Sequence, residues 1–249
     1  MNQINITHLL WTGGWDSTFR LLELLLNEKK TVIPHYIIGK ERRSYPVEIS
    51  AMDSIREKIA SRFPHDADRL LPTRFFKKTQ IRELSRLTKA SGQIRKRVRM
   101  DPQYEWISRY CRQHQLERVN LCVIDHAPGS EPEIFINMLR HLKNPGFVPG
   151  QKEIMEHLAD LFKPFELPFL NFTKNDLLIQ ARKNDWMDMM ELTWFRYNPK
   201  IAAGNGYEPC GGCVTCRGQY KHNFQWRIPV RQRVLQRAYR FKKRLLNRP

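Results

Sequence analysis

Short apolar runs alternate with helical patterns along the first two-thirds of the chain. Strands are predicted for four short runs rich in β-forming residues: Ile6–Trp11, Val32–Ile38, Leu70–Leu71 and Val119–Ile124. Helices are predicted between them at Ser17–Asn27, Pro46–Phe63, Pro102–Gln115 and Glu131–Leu142. Alternation of this kind needs crossover connections, so we expect an α/β fold with a mostly parallel sheet and helices on both faces.

Other segments extend this pattern. A helix is predicted at Lys152–Phe162, and Pro164–Pro168 returns the chain to an extended stretch. The polar, weakly periodic segment Ser85–Met100 predicts a mobile loop over the ligand-binding edge of the sheet. From Tyr220 onward the chain is a long basic segment, and an amphipathic helix is predicted there from apolar residues at helical spacing: Val234, Ala238, Phe241 and Leu245. That helix is expected to dock on the protein's own body or on a second subunit of a homodimer; an interfacial membrane helix is the alternative.

The turn after the first predicted strand carries the strongest chemical signal. It reads Thr-Gly-Gly-Trp-Asp-Ser-Thr from Thr12 to Thr18 and opens the first predicted helix. The glycines let successive N–H groups converge, and the helix dipole adds partial positive charge, so the turn predicts an anion site. A glycine turn that only joins a strand to a helix is the alternative. The Gly-Lys-Ser/Thr ending of a Walker A loop is absent.

This turn lies at the carboxyl end of its strand, where open parallel sheets bind their ligands. Asp125 and His126 follow the later strand and are expected either to face the same crevice or to serve as a helix cap or a polar pair within a loop.

Composition sets the class of protein. The 249 residues suffice for one α/β domain with a small extension. No stretch approaches the roughly 20 apolar residues that span a bilayer, and the N-terminus lacks the pattern of a secretory signal. The expected compartment is therefore the cytoplasm, where five cysteines indicate metal ligands or free thiols rather than disulfides.

The net charge of +18 comes from two segments, each contributing +9: residues 74–99 and residues 226–249. Charge runs of this kind favour RNA or another polyanion as a partner, with an acidic protein or membrane surface and a solvated helix face as alternatives.

A second chemical signal is Cys-Gly-Gly-Cys-Val-Thr-Cys, which places Cys210, Cys213 and Cys216 within seven residues. Thiolates at this spacing on a glycine-bearing loop converge on one metal ion. Free or redox-active thiols are the alternative.

The glycine turn resembles the Ser-Gly-Gly-x-Asp-Ser signature of the PP-loop ATP pyrophosphatases, with Thr12 in place of the first Ser. Two further stretches resemble the 7-cyano-7-deazaguanine synthase branch of that superfamily: Phe-Thr-Lys-Asn-Asp-Leu-Leu from Phe172, and Leu-Thr-Trp-Phe-Arg-Tyr-Asn from Leu192. The three cysteines and Arg217 follow in the family's order. The resemblance covers Ile6–Thr18 and Pro168–Arg217 and is absent from about residue 65 to 150.

The resemblance implies a Rossmann-like PP-loop domain over residues 1–205, followed by a metal knuckle and basic helix over residues 206–249. It implies that ATP is split between its α and β phosphates and that an acceptor is adenylated. The residues it assigns to the phosphates of ATP, to Mg²⁺ and to the adenine are Thr12, Gly13, Gly14, Asp16, Ser17, Thr18 and Ile37, with Lys174 neutralising charge as the α–β bond breaks.

Two departures from the family pattern change what is expected. The family's fourth zinc cysteine corresponds to Arg196, so the fourth ligand has to be His222, Cys111, Cys122 or a water, or the three cysteines hold an iron–sulfur cluster instead of Zn²⁺. The family's substrate-reading segment is also absent: the corresponding stretch runs from Asp125 to Glu133. A different small-molecule acceptor is therefore expected.

Three functions stay open. The first is an adenylating enzyme that activates a carboxylate or carbonyl for attack by ammonia or another nucleophile. The second is a tRNA-thiolating PP-loop enzyme, and the third is a non-catalytic nucleotide-binding relative.

Overall fold

The computed structural model describes residues 6–39, 43–125, 131–143, 152–195, 200–201, 207–221 and 224–235. His126, Arg196, His222 and residues 236–249, on which several of the predictions above fall, lie outside these ranges.

Five strands form one parallel sheet in the order β3-β2-β1-β4-β5. They are β1 (Ile6–Leu10), β2 (Thr31–Ile38), β3 (Arg74–Lys77), β4 (Val119–Asn120) and β5 (Phe165–Glu166). A separate antiparallel pair joins β6 (Lys200–Ile201) to β7 (Tyr207–Glu208). The chain winds outward from β1 in both directions, so the end of β1 lies where the strand order reverses, the usual ligand-binding position of such sheets.

Ten α-helices lie within the described residues. They are α1 (Trp15–Leu22), α2 (Tyr45–Arg62), α3 (Pro64–Ala67), α4 (Ser85–Arg97), α5 (Gln103–Gln113), α6 (Glu131–Lys143), α7 (Lys152–Phe162), α8 (Lys174–Lys183), α9 (Met187–Met190) and α10 (Val214–Lys221). A π-helical turn, Glu23–Asn27, continues α1, and 3₁₀ turns occupy Lys78–Gln80 and Gln225–Arg227.

The sheet separates two apolar cores. Leu9 and Tyr36 belong to one, and their neighbours Leu10 and Ile37 belong to the other. Successive side chains of a strand point to opposite faces, so strands buried on both sides read as continuous apolar runs. The predicted α/β class with a parallel sheet is therefore confirmed.

Two predictions in and just before the basic segment 74–99 differ from the structure. The predicted strand Leu70–Leu71 is only an isolated bridge between Leu70 and Val32, and the edge strand is Arg74–Lys77. Its terminal Arg and Lys are typical of edge strands, which need charge to avoid pairing with other chains. The predicted loop Ser85–Met100 is instead mostly helix α4. Its buried face is narrow and consists of residues at helical spacing: Leu87, Ala90, Ser91 and Ile94.

The C-terminal part of the described chain packs against both the sheet domain and the cysteines. Phe224 belongs to the core that contains Leu9 and Tyr36, and Ile228 packs with Cys210 and Cys216. Residues 230–235 are helical as predicted, and Val230, Val234 and Leu235 are exposed there.

Candidate functional site

The glycine turn is pressed against helix α2. Gly13 has φ +64°, and a Cβ at this position would lie 2.9 Å from the Glu48 carbonyl oxygen and 3.1 Å from Met52 Cγ. Both the left-handed backbone and the close contact require glycine here. Glu48 is itself fixed, because its buried carboxylate accepts hydrogen bonds from Tyr36 (2.7 Å) and Ser44 (2.6 Å).

Helix α1 begins without a side-chain cap. Gly14 occupies the N-cap position, and the first intrahelical bond runs from the Thr18 N–H to the Gly14 carbonyl oxygen (3.0 Å). The N–H groups of the preceding first turn have no intrahelical acceptor. The Ser17 hydroxyl lies 3.4 Å from the Gly14 carbonyl oxygen and 3.5 Å from the Thr12 nitrogen, both long for hydrogen bonds. The turn therefore offers donors suited to an anion.

These donors face a cavity of about 260 Å³ at the carboxyl edge of the sheet. The cavity brings together five of the predicted residues: Thr12, Gly14, Asp16, Ser17 and Ile37. Its other walls include His35, Gln103 and Trp106, which sequence reasoning did not select, and Cys122, which was predicted only as a possible metal ligand. The wall from α5 adds an indole and apolar surface, which suits a heterocycle beside an anion site.

Lys174 is brought beside Asp16 from a distant part of the sequence. Thr173 caps α8 through a capping box with Asp176, in which the Thr173 N–H donates to Asp176 Oδ2 (2.7 Å). Lys174 therefore starts the helix, and its Nζ lies 3.6 Å from Asp16 Oδ2. Asp16 Oδ1 is buried without a hydrogen-bond partner among the described residues, so the carboxylate keeps an unused acceptor.

Thr18 is placed differently from the other residues of the turn. It is fully buried, and its Oγ1 accepts a hydrogen bond from the Trp11 indole N–H (3.0 Å). This hydroxyl ties β1 to α1 beneath the turn and does not line the cavity.

Ile37 and Asp125 are both held by neighbouring parts of the fold. Ile37 is buried in the sheet and lines the cavity. Asp125 forms an ion pair with Arg140 (2.8 Å), and its N–H donates to the Phe172 carbonyl oxygen (2.8 Å). Asp125 therefore holds a loop in place, which was one of its two predicted roles.

A histidine pair extends from the cavity wall. His35 Nε2 lies 2.9 Å from His8 Nδ1, and His35 Nδ1 lies 2.7 Å from the Tyr110 hydroxyl. Burial, with the nearby His8 and Arg74, lowers the pKa of His35 to about 3, so the ring is neutral at physiological pH. No sequence signal marked this group, because His35 lies within an apolar strand.

The three clustered cysteines converge as predicted. Their sulfur atoms all lie within 4.8 Å of one another, and the sulfurs of Cys210 and Cys216 are 4.0 Å apart. Two sulfurs bound to one tetrahedral zinc at ~2.3 Å would be about 3.8 Å apart, so the spacing suits a metal ion. Cys213 is more exposed than the other two.

Thiol acidity within the cluster is uneven. Burial opposes ionisation of Cys213, but hydrogen bonds from the Thr215 hydroxyl and its neighbours lower its pKa to about 7. Burial raises the pKa of Cys216 to about 12. Two candidates for the fourth ligand are placed elsewhere: Cys111 is buried in a sheet core, and Cys122 lines the cavity by the glycine turn.

Arg227 is a further residue that the sequence did not mark. Its guanidinium carbon lies 5.1 Å from the centre of the Trp15 ring and 4.8 Å from that of Phe195. Its Nη2 donates to the carbonyl and hydroxyl oxygens of Thr193. One arginine among the nine basic residues of segment 226–249 gives no sequence signal, and only the fold places it beside the turn.

Part of the other basic segment lines a larger cavity of about 860 Å³. This cavity lies at the amino edge of the sheet, since its walls include residues just before β4 and β5. Its basic residues are Arg82, Arg86, Arg109, Arg112, Arg118 and Lys163. Asp160 pairs with Arg86 and Arg112, and Glu166 pairs with Arg118, so much of the positive charge is compensated.

No model of a known protein family matches this chain, and no curated protein sequence matches it either. No helix within the described ranges is long and apolar enough to cross a bilayer.

Proposed function

We propose that the protein is an ATP-dependent adenylating enzyme. The observation that carries this proposal is the meeting of three groups at one cavity, namely the uncapped N–H groups of α1, the Ser17 hydroxyl and the Asp16 carboxylate, with the Lys174 ammonium 3.6 Å from that carboxylate. Anion donors, a carboxylate and a lysine at the switch point of a parallel sheet suit a nucleotide triphosphate. The resemblance to the PP-loop signature supports cleavage between the α and β phosphates.

Each residue has a role in that reaction. The N–H groups and the Ser17 hydroxyl bind the pyrophosphate portion of ATP, and Ile37 and Trp106 pack against the adenosine. Lys174 stabilises the negative charge that grows on the leaving pyrophosphate. An oxygen of the acceptor attacks the α phosphorus, the α–β P–O bond breaks, and pyrophosphate departs. Ammonia or another nucleophile then attacks the activated carbon, and AMP leaves with the bonding electrons.

Asp16 is the residue suited to hold Mg²⁺. Its Oδ1 is a buried acceptor without a partner in the described structure, and a carboxylate oxygen is a preferred ligand of this ion. Bound Mg²⁺ supplies charge neutralisation to the phosphates.

Cys210, Cys213 and Cys216 are suited to hold Zn²⁺ in a structural role. Their sulfur spacing fits the ion, and their loop packs on Ile228, close to the chain that carries Arg227. Zinc bound there would fix the C-terminal segment against the glycine turn.

The test is product analysis with radiolabelled ATP, Mg²⁺, ammonium and a panel of carboxylic acids. We expect AMP and pyrophosphate, and loss of both in Ser17→Ala. Formation of ADP and phosphate, or unchanged turnover in Ser17→Ala, would refute the proposal. Adding tRNA separates the alternative: turnover that requires tRNA and falls steeply with salt would identify an RNA-modifying enzyme.

A further inference from the structure

Helix α4 carries a basic face that the proposed function does not use. The helix contains no acidic residue, and its basic residues are all exposed: Arg86, Lys89, Arg95, Lys96 and Arg97. Its buried face packs against α5 and α7, so the helix is a fixed part of the fold. The basic face is therefore held in one place on the surface.

Most of these charges form one stripe along the helix axis. At 3.6 residues per turn, four of them share an arc of about 100° around the axis: Arg86, Lys89, Lys96 and Arg97. The helix rises ~16 Å between the first and the last of them. We call these four residues the basic stripe.

The basic stripe connects two cavities. Arg86 lines the cavity of about 860 Å³ at the amino edge of the sheet. Arg99, just beyond the other end of the stripe, lines a cavity of about 580 Å³. Gln103 lines both this second cavity and the cavity of the glycine turn, so the stripe leads toward the proposed nucleotide site.

The basic stripe keeps most of its charge. Arg86 forms an ion pair with Asp160, but no carboxylate of the described residues forms one with the other three members. Like charges three or four residues apart on a helix repel each other, and exposed faces that meet only water usually mix both signs. A polyanion is therefore the partner that this face fits.

The uncharged residues of the exposed face indicate which polyanion. An interfacial membrane helix needs exposed apolar side chains that enter the lipid, and a protein partner needs apolar or aromatic anchors. The exposed face of α4 has neither, because its uncharged residues are Ser85, Thr88, Gly92 and Gln93. Hydroxyl and amide groups among Arg and Lys are the usual contacts of phosphate oxygens. At about 3.4 Å per phosphate along a stacked strand, ~16 Å spans about four or five phosphates.

We infer that the basic stripe of α4 binds the phosphate backbone of a single-stranded nucleic acid. A strand that lies along it runs from the amino-edge cavity toward the cavity that Gln103 shares with the glycine turn. This binding goes beyond the adenylation reaction and does not depend on it, since the contacts need neither ATP nor an acceptor.

The test is the fluorescence anisotropy of a labelled oligouridylate, titrated with the nucleotide-free protein at several salt concentrations. Neutralisation of four phosphates of a single strand gives a slope of about −3 in log affinity against log salt, which is a roughly 50-fold loss between about 50 and 200 mM. Two of these contacts remain in Lys89→Gln/Lys96→Gln, so its loss over the same range should be only roughly 7-fold.

The matched control is Arg182→Gln/Lys183→Gln. It removes the same charge from the last turn of α8, which packs on the other face of the sheet, and should keep the salt dependence of the wild-type protein. Circular dichroism first establishes that both variants are folded.

Polyglutamate and vesicles rich in phosphatidylserine stand for the other polyanions, and both should bind at least about tenfold more weakly than the oligouridylate. Equal binding of either one, weakened in Lys89→Gln/Lys96→Gln, would assign the face to an acidic protein or a membrane and overturn the inference. Absence of oligouridylate binding by the wild-type protein at low salt would overturn it without any variant. An unchanged salt dependence in Lys89→Gln/Lys96→Gln would also overturn it, because the nucleic acid would then bind elsewhere, such as on residues 226–249.

Discussion

Gly13→Ala is the change that most directly tests the geometry of the turn. The new methyl group would lie 2.9 Å from the Glu48 carbonyl oxygen, a backbone atom held within helix α2. The residue would also have to keep φ +64°, which costs an L-residue about 1–2 kcal/mol. Adding about 1–2 kcal/mol for the overlap, we expect a loss of about 2–4 kcal/mol in the free energy of unfolding, or a fall of roughly 5–15 °C in the melting temperature.

The measurement is thermal unfolding by circular dichroism, followed by nucleotide titration at a temperature where the variant is folded. Gly92→Ala is the matched control, because this glycine lies inside α4 and a Cβ there would meet no atom within 4 Å. The control should be stabilised by about 0.5–1 kcal/mol, since alanine is the better helix former. Equal melting temperatures for Gly13→Ala and the wild type would refute the account of the turn.

Three further predictions concern other parts of the site. The pKa of His35 falls from 6.5 to about 3 on folding, so between these pH values only the unfolded state binds the proton. The free energy of unfolding, measured by urea denaturation, should therefore fall by about 2 kcal/mol between pH 6.5 and about pH 4.5. His35→Gln should lack this part of the pH dependence. Cys216→Ser should lower bound zinc from about one ion per chain to a small fraction by elemental analysis, whereas Cys111→Ala should retain it. Thr18→Val should cost about 1–3 kcal/mol, because it strands the buried Trp11 N–H, without changing nucleotide affinity.

Contrary results are clear in each case. An unchanged acid slope in His35→Gln would mean that the ring is protonated in the folded protein. Loss of zinc from Cys111→Ala would mean that a zinc ligand lies outside the three clustered cysteines. Bound iron with visible absorption in place of zinc would favour an iron–sulfur cluster. A large fall in nucleotide affinity for Thr18→Val, with the free energy of unfolding unchanged, would mean that the Thr18 hydroxyl binds the phosphates as first predicted.

The turn and the cysteine cluster were predictable because each is local. A strand, two glycines and a helix start leave backbone N–H groups without intrahelical acceptors whatever surrounds them, and cysteines two residues apart can reach the same ion. The site residues that come from elsewhere were harder to find. Lys174 was found only through the family resemblance, since its distance from Asp16 depends on where α8 packs.

The predictions that differ from the structure have physical reasons of another kind. Strand β3 is short and lies at the edge of the sheet, and it begins and ends with a charged residue, so it does not stand out as a strand within a basic segment. Helix α4 was not predicted because its exposed face is strongly basic and few of its residues are buried, so the helical periodicity of apolar residues is weak. His35 and Arg227 act through neighbours distant in sequence, such as Tyr110 and Trp15, so no spacing along the chain reveals them.

The central claim is that the glycine turn and Lys174 bind the phosphates of ATP together. Calorimetric titration with Mg²⁺ and an ATP analogue whose α–β bridging oxygen is replaced by a methylene group tests it without turnover. We predict saturable binding by the wild-type protein, at least tenfold weaker binding by Lys174→Met, and unchanged binding by Lys183→Met, which alters the exposed last turn of the same helix. Absence of binding by the wild type, or equal affinity in all three proteins, would contradict the account.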